Sequence, residues 1–239
     1  MLVLRRALAI TAMLPAAFAG ADAAAPLAGH WEGAIHTPLE EMAVTVDLAA
    51  GEGGKLGGTF SSPSQRLNGF PLWSASVDGD AVKIELKMAD PGIRTFDGRL
   101  SADRETITGQ FLISVYSVPF TLKRNGDAQI AAAPKSAAID ARLAGAWRGS
   151  LDVAGQSLPL NLTLTNHADR TATGAWSAGG APLIPVAIAS EGRTLTLTSP
   201  VTPASFTGSL SADGTQISGT LNEGGAPLPV VFTRDASGR

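Results

Sequence analysis

Through most of this chain, apolar residues recur at every second position rather than at every third or fourth. Val82, Ile84, Leu86 and Met88 alternate with Lys83, Glu85 and Lys87, and Leu158, Leu160, Leu162 and Leu164 alternate with Pro159, Asn161 and Thr163. That period turns one face of a strand into a core and leaves the other in water, as in an antiparallel sheet. Turn signals separate the runs at Gly51 to Gly54, Asp78-Gly79, Asp90-Pro91-Gly92, Ala154-Gly155, Glu191-Gly192 and Asp213-Gly214. The pattern predicts eight strands in the first half, near 30–36, 42–49, 56–61, 70–77, 81–88, 94–101, 106–114 and 118–123. Beyond the first 25 residues no segment has the period of an amphipathic helix. A meander of eight short strands buries its apolar face and loses its edges by closing into a barrel.

The pattern is written twice. Leu27-Ala28-Gly29-His30-Trp31-Glu32-Gly33 returns as Leu143-Ala144-Gly145-Ala146-Trp147-Arg148-Gly149, and Phe96-Asp97-Gly98-Arg99-Leu100-Ser101-Ala102-Asp103 returns as Phe206-Thr207-Gly208-Ser209-Leu210-Ser211-Ala212-Asp213. Ile107-Thr108-Gly109 matches Ile217-Ser218-Gly219, and each unit closes on an arginine, Arg124 and Arg234. The expectation is all-β, with two tandem antiparallel meander barrels at 27–124 and 143–234. An alanine-rich linker, 125–142, contains Pro134 and is expected to make few contacts. Alignment of the repeats sets Phe60 against Trp176 and Trp73 against Ile184.

The first 25 residues read as a signal peptide. Arg5 and Arg6 precede an uncharged apolar run from Ala7 to Ala19, and small-x-small patterns follow at Ala17-Phe18-Ala19 and Ala21-Asp22-Ala23. The run is too short to span a bilayer. A periplasmic or secreted protein is expected, with no lipoprotein anchor, because the chain has no cysteine. The same absence excludes disulfides, thiolate zinc sites and cysteine nucleophiles. With 18 Lys+Arg against 21 Asp+Glu, the chain has no basic excess for nucleic acid.

Gly29-x-Trp31 and Gly145-x-Trp147 open the first strand of each unit, and Arg124 and Arg234 end the last. This resembles the signature of calycin barrels, the lipocalins and their relatives. The resemblance implies that the indole lies across the barrel floor with the arginine over its face, a cation–π contact worth about 0.5–2 kcal/mol. Trp31, Arg124, Trp147 and Arg234 are thus expected to form a structural clasp where first and last strands meet. A second resemblance spans nearly all of both units. Trp-x-Gly, Gly58-Thr59-Phe60-Ser61-Ser62-Pro63-Ser64-Gln65, Phe-x-Gly-x-Leu-Ser-x-Asp, Ile-x-Gly and a closing Pro-x-x-x-x-Arg look like an accessory domain. That domain precedes secreted bacterial α/β-hydrolases and some serine β-lactamase-like enzymes. The second unit departs from it, having Ser177-Ala178-Gly179-Gly180 in place of the Ser-Pro-x-Gln loop. The resemblance implies a module without chemistry of its own.

The residues themselves point the same way. Neither Gly-x-Ser-x-Gly nor Ser-x-x-Lys occurs. The three histidines are His30, His36 and His167; His30 is replaced by Ala146 in the repeat, and the others fall near predicted turns. Glu40 and Glu41 near His36 make a thin case for a metal, and solvated turn residues explain them better. Gly51 to Gly58 lacks the phosphate-loop order and a following helix, so a hairpin turn is the better reading. No catalytic residue, metal site or cofactor is expected.

Two readings remain. The barrels bind a small hydrophobic molecule, with Phe60, Trp73, Trp176, Leu160 and Leu162 as interior or mouth residues. Alternatively, the chain is a scaffold or accessory partner of a separate secreted enzyme, its interiors filled by their own side chains.

Overall fold

A computed structural model describes residues 27–235 apart from 52, 53, 91 and 154. The segment read as a signal peptide lies outside the described residues. The first unit contains β1 (Gly29–His36), β2 (Glu41–Ala50), β3 (Leu56–Ser62), β4 (Leu67–Pro71), β5 (Ser74–Asp78), β6 (Ala81–Lys87), β7 (Ile93–Leu100), β8 (Thr106–Ile113) and β9 (Tyr116–Arg124). Its antiparallel order is β4-β3-β2-β1-β9-β8-β7-β6-β5, a strongly curled sheet without hydrogen-bonded pairing between its two end strands. After a two-residue strand β10 (Ser136–Ala137), the second unit runs through β11 (Gly145–Val153), β12 (Gln156–Asn166), β13 (Thr171–Ala178) and β14 (Ile184–Glu191). It ends with β15 (Thr194–Thr198), β16 (Ser205–Leu210), β17 (Gln216–Asn222) and β18 (Leu228–Arg234). Here pairing of β13 with β14 completes a closed barrel of eight strands. The fold is all-β in two barrel-like units, and the alternation read from the sequence sets the inward positions: Val82, Ile84 and Leu86 are buried in one, Leu160, Leu162 and Leu164 in the other.

The strand expected at 70–77 is broken in two, and the break explains the open sheet. The Leu72 N–H donates to the Gly58 carbonyl on β3 at 3.0 Å, and the next N–H, of Trp73, donates to Glu85 on β6 at 2.8 Å. The chain therefore steps from one side of the gap to the other at this corner. β14 makes the same crossing unbroken, pairing with β13 through Ile184 to Val186 and with β15 from Ala187 onward. Two residues, Leu72 and Trp73, lie between the pairs Thr59–Pro71 and Ser74–Glu85, but only Val186 lies between Ala175–Pro185 and Ala187–Thr198. Trp73 is the extra residue and is 47% exposed. This corrects the repeat alignment: Phe70, opposite Phe60, holds the place of Ile184 opposite Trp176.

Residues 125–142 form no helix, but they are not the contact-poor linker expected. The Gln129 N–H donates to Asp47 Oδ1 at 2.6 Å, and Asn166 both accepts from and donates to the backbone of buried Ile139. β10 pairs with the start of β13, and Ser136 Oγ accepts the Ile188 N–H of β14 at 2.8 Å. It thereby fills the wedge where β13 and β14 diverge.

The two units are packed on each other. Val201, in the turn between β15 and β16, is 4% exposed and belongs to the core of the first unit, where its carbonyl accepts the Asn68 N–H. Inside that core the Phe96 ring centroid lies 4.5 Å from that of Phe111 and 5.9 Å from that of Phe60, both tilted, and 4.9 Å edge-to-face from that of Phe120, so aromatic side chains fill the first interior.

Candidate functional site

Each unit is shut at one end by its tryptophan and arginine. Trp31 faces Arg124 across β1 and β9, and Trp147 faces Arg234 across β11 and β18. The guanidinium carbons lie 4.3 Å and 4.2 Å from the indole centroids. Each indole N–H donates to a carbonyl four residues back, Leu27 and Leu143, at 2.9 Å. Arg234 also donates to the carbonyls of Ala144, Arg142 and Gly214, and Arg124 to those of Ala28 and Arg104. The glycine of Gly-x-Trp is favoured by the backbone, with φ of +152° at Gly29 and +132° at Gly145, and by this packing. A Cβ on Gly29 would sit 2.5 Å from Arg124 Nη1, and one on Gly145 would sit 2.8 Å from Arg234 Nη1.

The opposite ends of the two units face each other, and a partly open cavity of about 270 Å³ lies at the mouth of the second. Its walls include Leu151, Leu160, Trp176, Val230 and the edge-to-face pair Phe206 and Phe232, whose centroids are 5.3 Å apart. Its cover comes from the first unit: Leu67, Phe70 and the turn Met88 to Asp90. Asn161, Ser177 and Thr202 add polar atoms to the lining, and Asp90 and Glu223 add carboxylates. Asp90 is fixed by Arg94, which donates to both carboxylate oxygens at 3.0 and 2.6 Å and holds the carboxyl below its usual range. Gly179 makes the close approach of this cover feasible: its φ is +60°, and a Cβ there would lie 2.6 Å from the Ala89 carbonyl. That is the physical content of the Gly179-Gly180 departure noted in the sequence.

Of the residues the sequence put forward as interior or mouth positions, Trp176 and Leu160 line this cavity. Leu162 is fully buried one step deeper, opposite Trp176. Phe60 sits in the aromatic core of the first unit, and Trp73 stands on the surface with Lys87 Nζ 4.4 Å from its ring centroid. These two do not meet the others.

Sequence reasoning missed the most polar buried spot, around His30. This histidine, 7% exposed, lies between Asp47 at 2.7 Å from Nδ1 and Glu32 at 2.9 Å from Nε2. The hydrogen bond to Asp47 raises its pKa, opposed by burial and aided by Glu32. Asp47 also receives the Gln129 N–H, and Glu32 receives the Asn125 amide, so the cluster pins the interdomain segment to β1 and β2. His30 and Glu32 share the outer face of β1 by alternation, but no sequence signal gives the register that brings Asp47 opposite. His36 contacts Glu41 at 3.2 Å and Thr121 at 3.4 Å on the surface, and His167 contacts Thr173. Among the described residues no group of three His, Asp or Glu is placed to hold a metal ion, and no helix is long and apolar enough to cross a membrane.

No family model and no curated protein matches this chain. A solved structure of a protein with unknown function from the DUF3598 family of Nostoc punctiforme is similar at 14% identity. The match covers 90% of this chain and 98% of that one, with a TM-score of 0.27.

Proposed function

We propose that this protein is a non-catalytic binding protein, working outside the cytoplasm, that holds one small, largely apolar molecule in the second barrel. The observation that carries this reading is the cavity itself. It is partly open, walled mainly by leucine, valine and aromatic side chains, and roofed on one side by the other unit instead of being filled by it. Its volume of about 270 Å³ lies just below the roughly 300–1,000 Å³ common for small-molecule sites, so the guest is smaller than a typical cofactor. The polar atoms of Asn161, Ser177 and Thr202 suit a single hydroxyl or carbonyl at one end of an aliphatic or aromatic body, and the carboxylates of Asp90 and Glu223 in the same lining disfavour an anionic guest.

The test is titration of octan-1-ol into the protein, followed by tryptophan emission and calorimetry, with native mass spectrometry of freshly purified material for a retained guest. Saturable binding is expected. It should weaken at least tenfold in Ala204→Phe, which puts a ring into the cavity from a wall residue that is 6% exposed. Absence of both a retained mass and saturable binding, in protein with an unchanged circular dichroism spectrum, would overturn the reading.

A further inference from the structure

The two units differ at one seam, and the difference shows what the open one accepts. In the second unit β13 and β14 diverge past Gly174–Val186, and β10 occupies the wedge, with Ser136 opposite Ala172, Ala137 opposite Thr171, and the Ile188 N–H donated to Ser136 Oγ. Two positions on, Ile139 anchors the segment in the core. By the strand registers, Leu56 and Lys55 hold the places of Ala172 and Thr171, and Ala75 holds that of Ile188. There the wedge is an exposed groove of about 380 Å³, lined by Lys55, Leu56, Trp73, Ala75 and Val77. Its banks are strand edges paired on one side only: Leu56 and Gly57 with β2, and β5 with β6. A Cβ added to Gly57 meets nothing within 4 Å.

We infer that this seam is a strand-addition site for an extended segment of another polypeptide chain. The incoming strand takes the place β10 takes in the second unit and presents two small residues followed two positions later by an aliphatic one. Main-chain hydrogen bonds from unpaired edges supply affinity in such complexes, and pockets for alternate side chains supply selectivity. Small residues suit the narrow wedge, as Ser136 and Ala137 do. Leu56, the Trp73 ring and Val77 offer apolar cover for the aliphatic residue. The test uses the chain without 1–25, so that its own leading residues cannot take the place of the added strand. This site uses none of the cavity residues, so it stands apart from the small-molecule reading.

The probe is the heptapeptide Pro-Lys-Ser-Ala-Ala-Ile-Asp, the sequence of residues 134–140, added to isotopically labelled protein lacking 1–25. Amide shifts confined to 54–57 and 73–78 are expected, saturating in the micromolar to millimolar range. Ala75→Pro removes the donor that corresponds to the Ile188 N–H and should abolish them, as should a peptide carrying proline at the Ala137 position. An unchanged dispersion of the remaining amides shows that Ala75→Pro still folds. Shifts elsewhere, no shifts at millimolar peptide, or equal binding by Ala75→Pro would overturn the inference. So would blockage of the seam in the full-length chain together with the same blockage in the chain lacking 1–25, since the occupant would then be the protein itself.

Discussion

At the residue scale the Gly-x-Trp and terminal arginine act as a single device. The arginine lies over the indole and also collects carbonyls left at the strand ends, so its removal costs more than the stacking contact alone. Arg234→Gln should lower unfolding free energy by about 1–3 kcal/mol, from the lost cation–π contact and two or more hydrogen bonds to carbonyls, read as a fall in the urea midpoint with an unchanged slope. Gly145→Ala should do at least as much harm, since its Cβ meets Arg234 and its φ of +132° is unsuited to a side chain. The tryptophan and arginine were legible because both ends of a closing sheet are marked in sequence, and twice. His30 was not, because its partners lie 2 and 17 residues away and only the register joins them.

His30 also gives the molecule a pH dependence. With a carboxylate at each ring nitrogen, the protonated imidazole donates twice, whereas the neutral ring must turn a lone pair toward one of them. Its pKa is raised in the folded chain, so its stabilising contribution is complete below the ordinary value of 6.5 and is lost as pH rises through the higher folded value. For Glu32, lowered first by the His30 bond, the contribution is present above the ordinary value of 4.5 and is lost as pH falls through the lower folded value. The segment that leaves β9 is therefore held most firmly in mildly acidic solution. Protection of the Gln129 amide against hydrogen exchange, corrected for intrinsic rate, should fall as pH rises above the ordinary histidine value of 6.5 and be flat over the same range in His30→Gln.

Elements were predicted well wherever alternation was unbroken. Seven of the eight strands expected in the first unit are found within a few residues of their places, and the eighth failed at Leu72–Trp73. A one-residue insertion leaves the apolar count of a strand intact while turning it through a corner, so composition does not reveal it. Turn residues were legible as turns, but not as contacts: Ser177-Ala178-Gly179-Gly180 reads in the sequence only as a departure from the Ser-Pro-x-Gln loop, and only the neighbouring unit shows what the glycine at 179 makes room for. Gly179→Val should push Ala89 away, weaken docking of the two units by about 1–3 kcal/mol and open the cavity mouth. Stopped-flow mixing with octan-1-ol checks this: faster association and faster release are expected, with release changed more.

For the whole molecule, the repeat gives two units, but the packing joins them. Met88 of the first unit reaches over the cavity of the second, and Val201, at the corresponding point of the repeat, is buried in the core of the first. Each barrel is finished by a residue the other lends it. Heat should therefore melt the chain in a single transition with matching calorimetric and van't Hoff enthalpies. Val201→Asp, which sets a carboxylate into that core, should split the transition in two.

That exchange also bears on how such a chain can change over generations. A gene duplication ordinarily frees one copy to drift, since the other still folds by itself. Here a change at Met88 or Val201 is felt in both halves, so substitutions at these two points are expected to vary together.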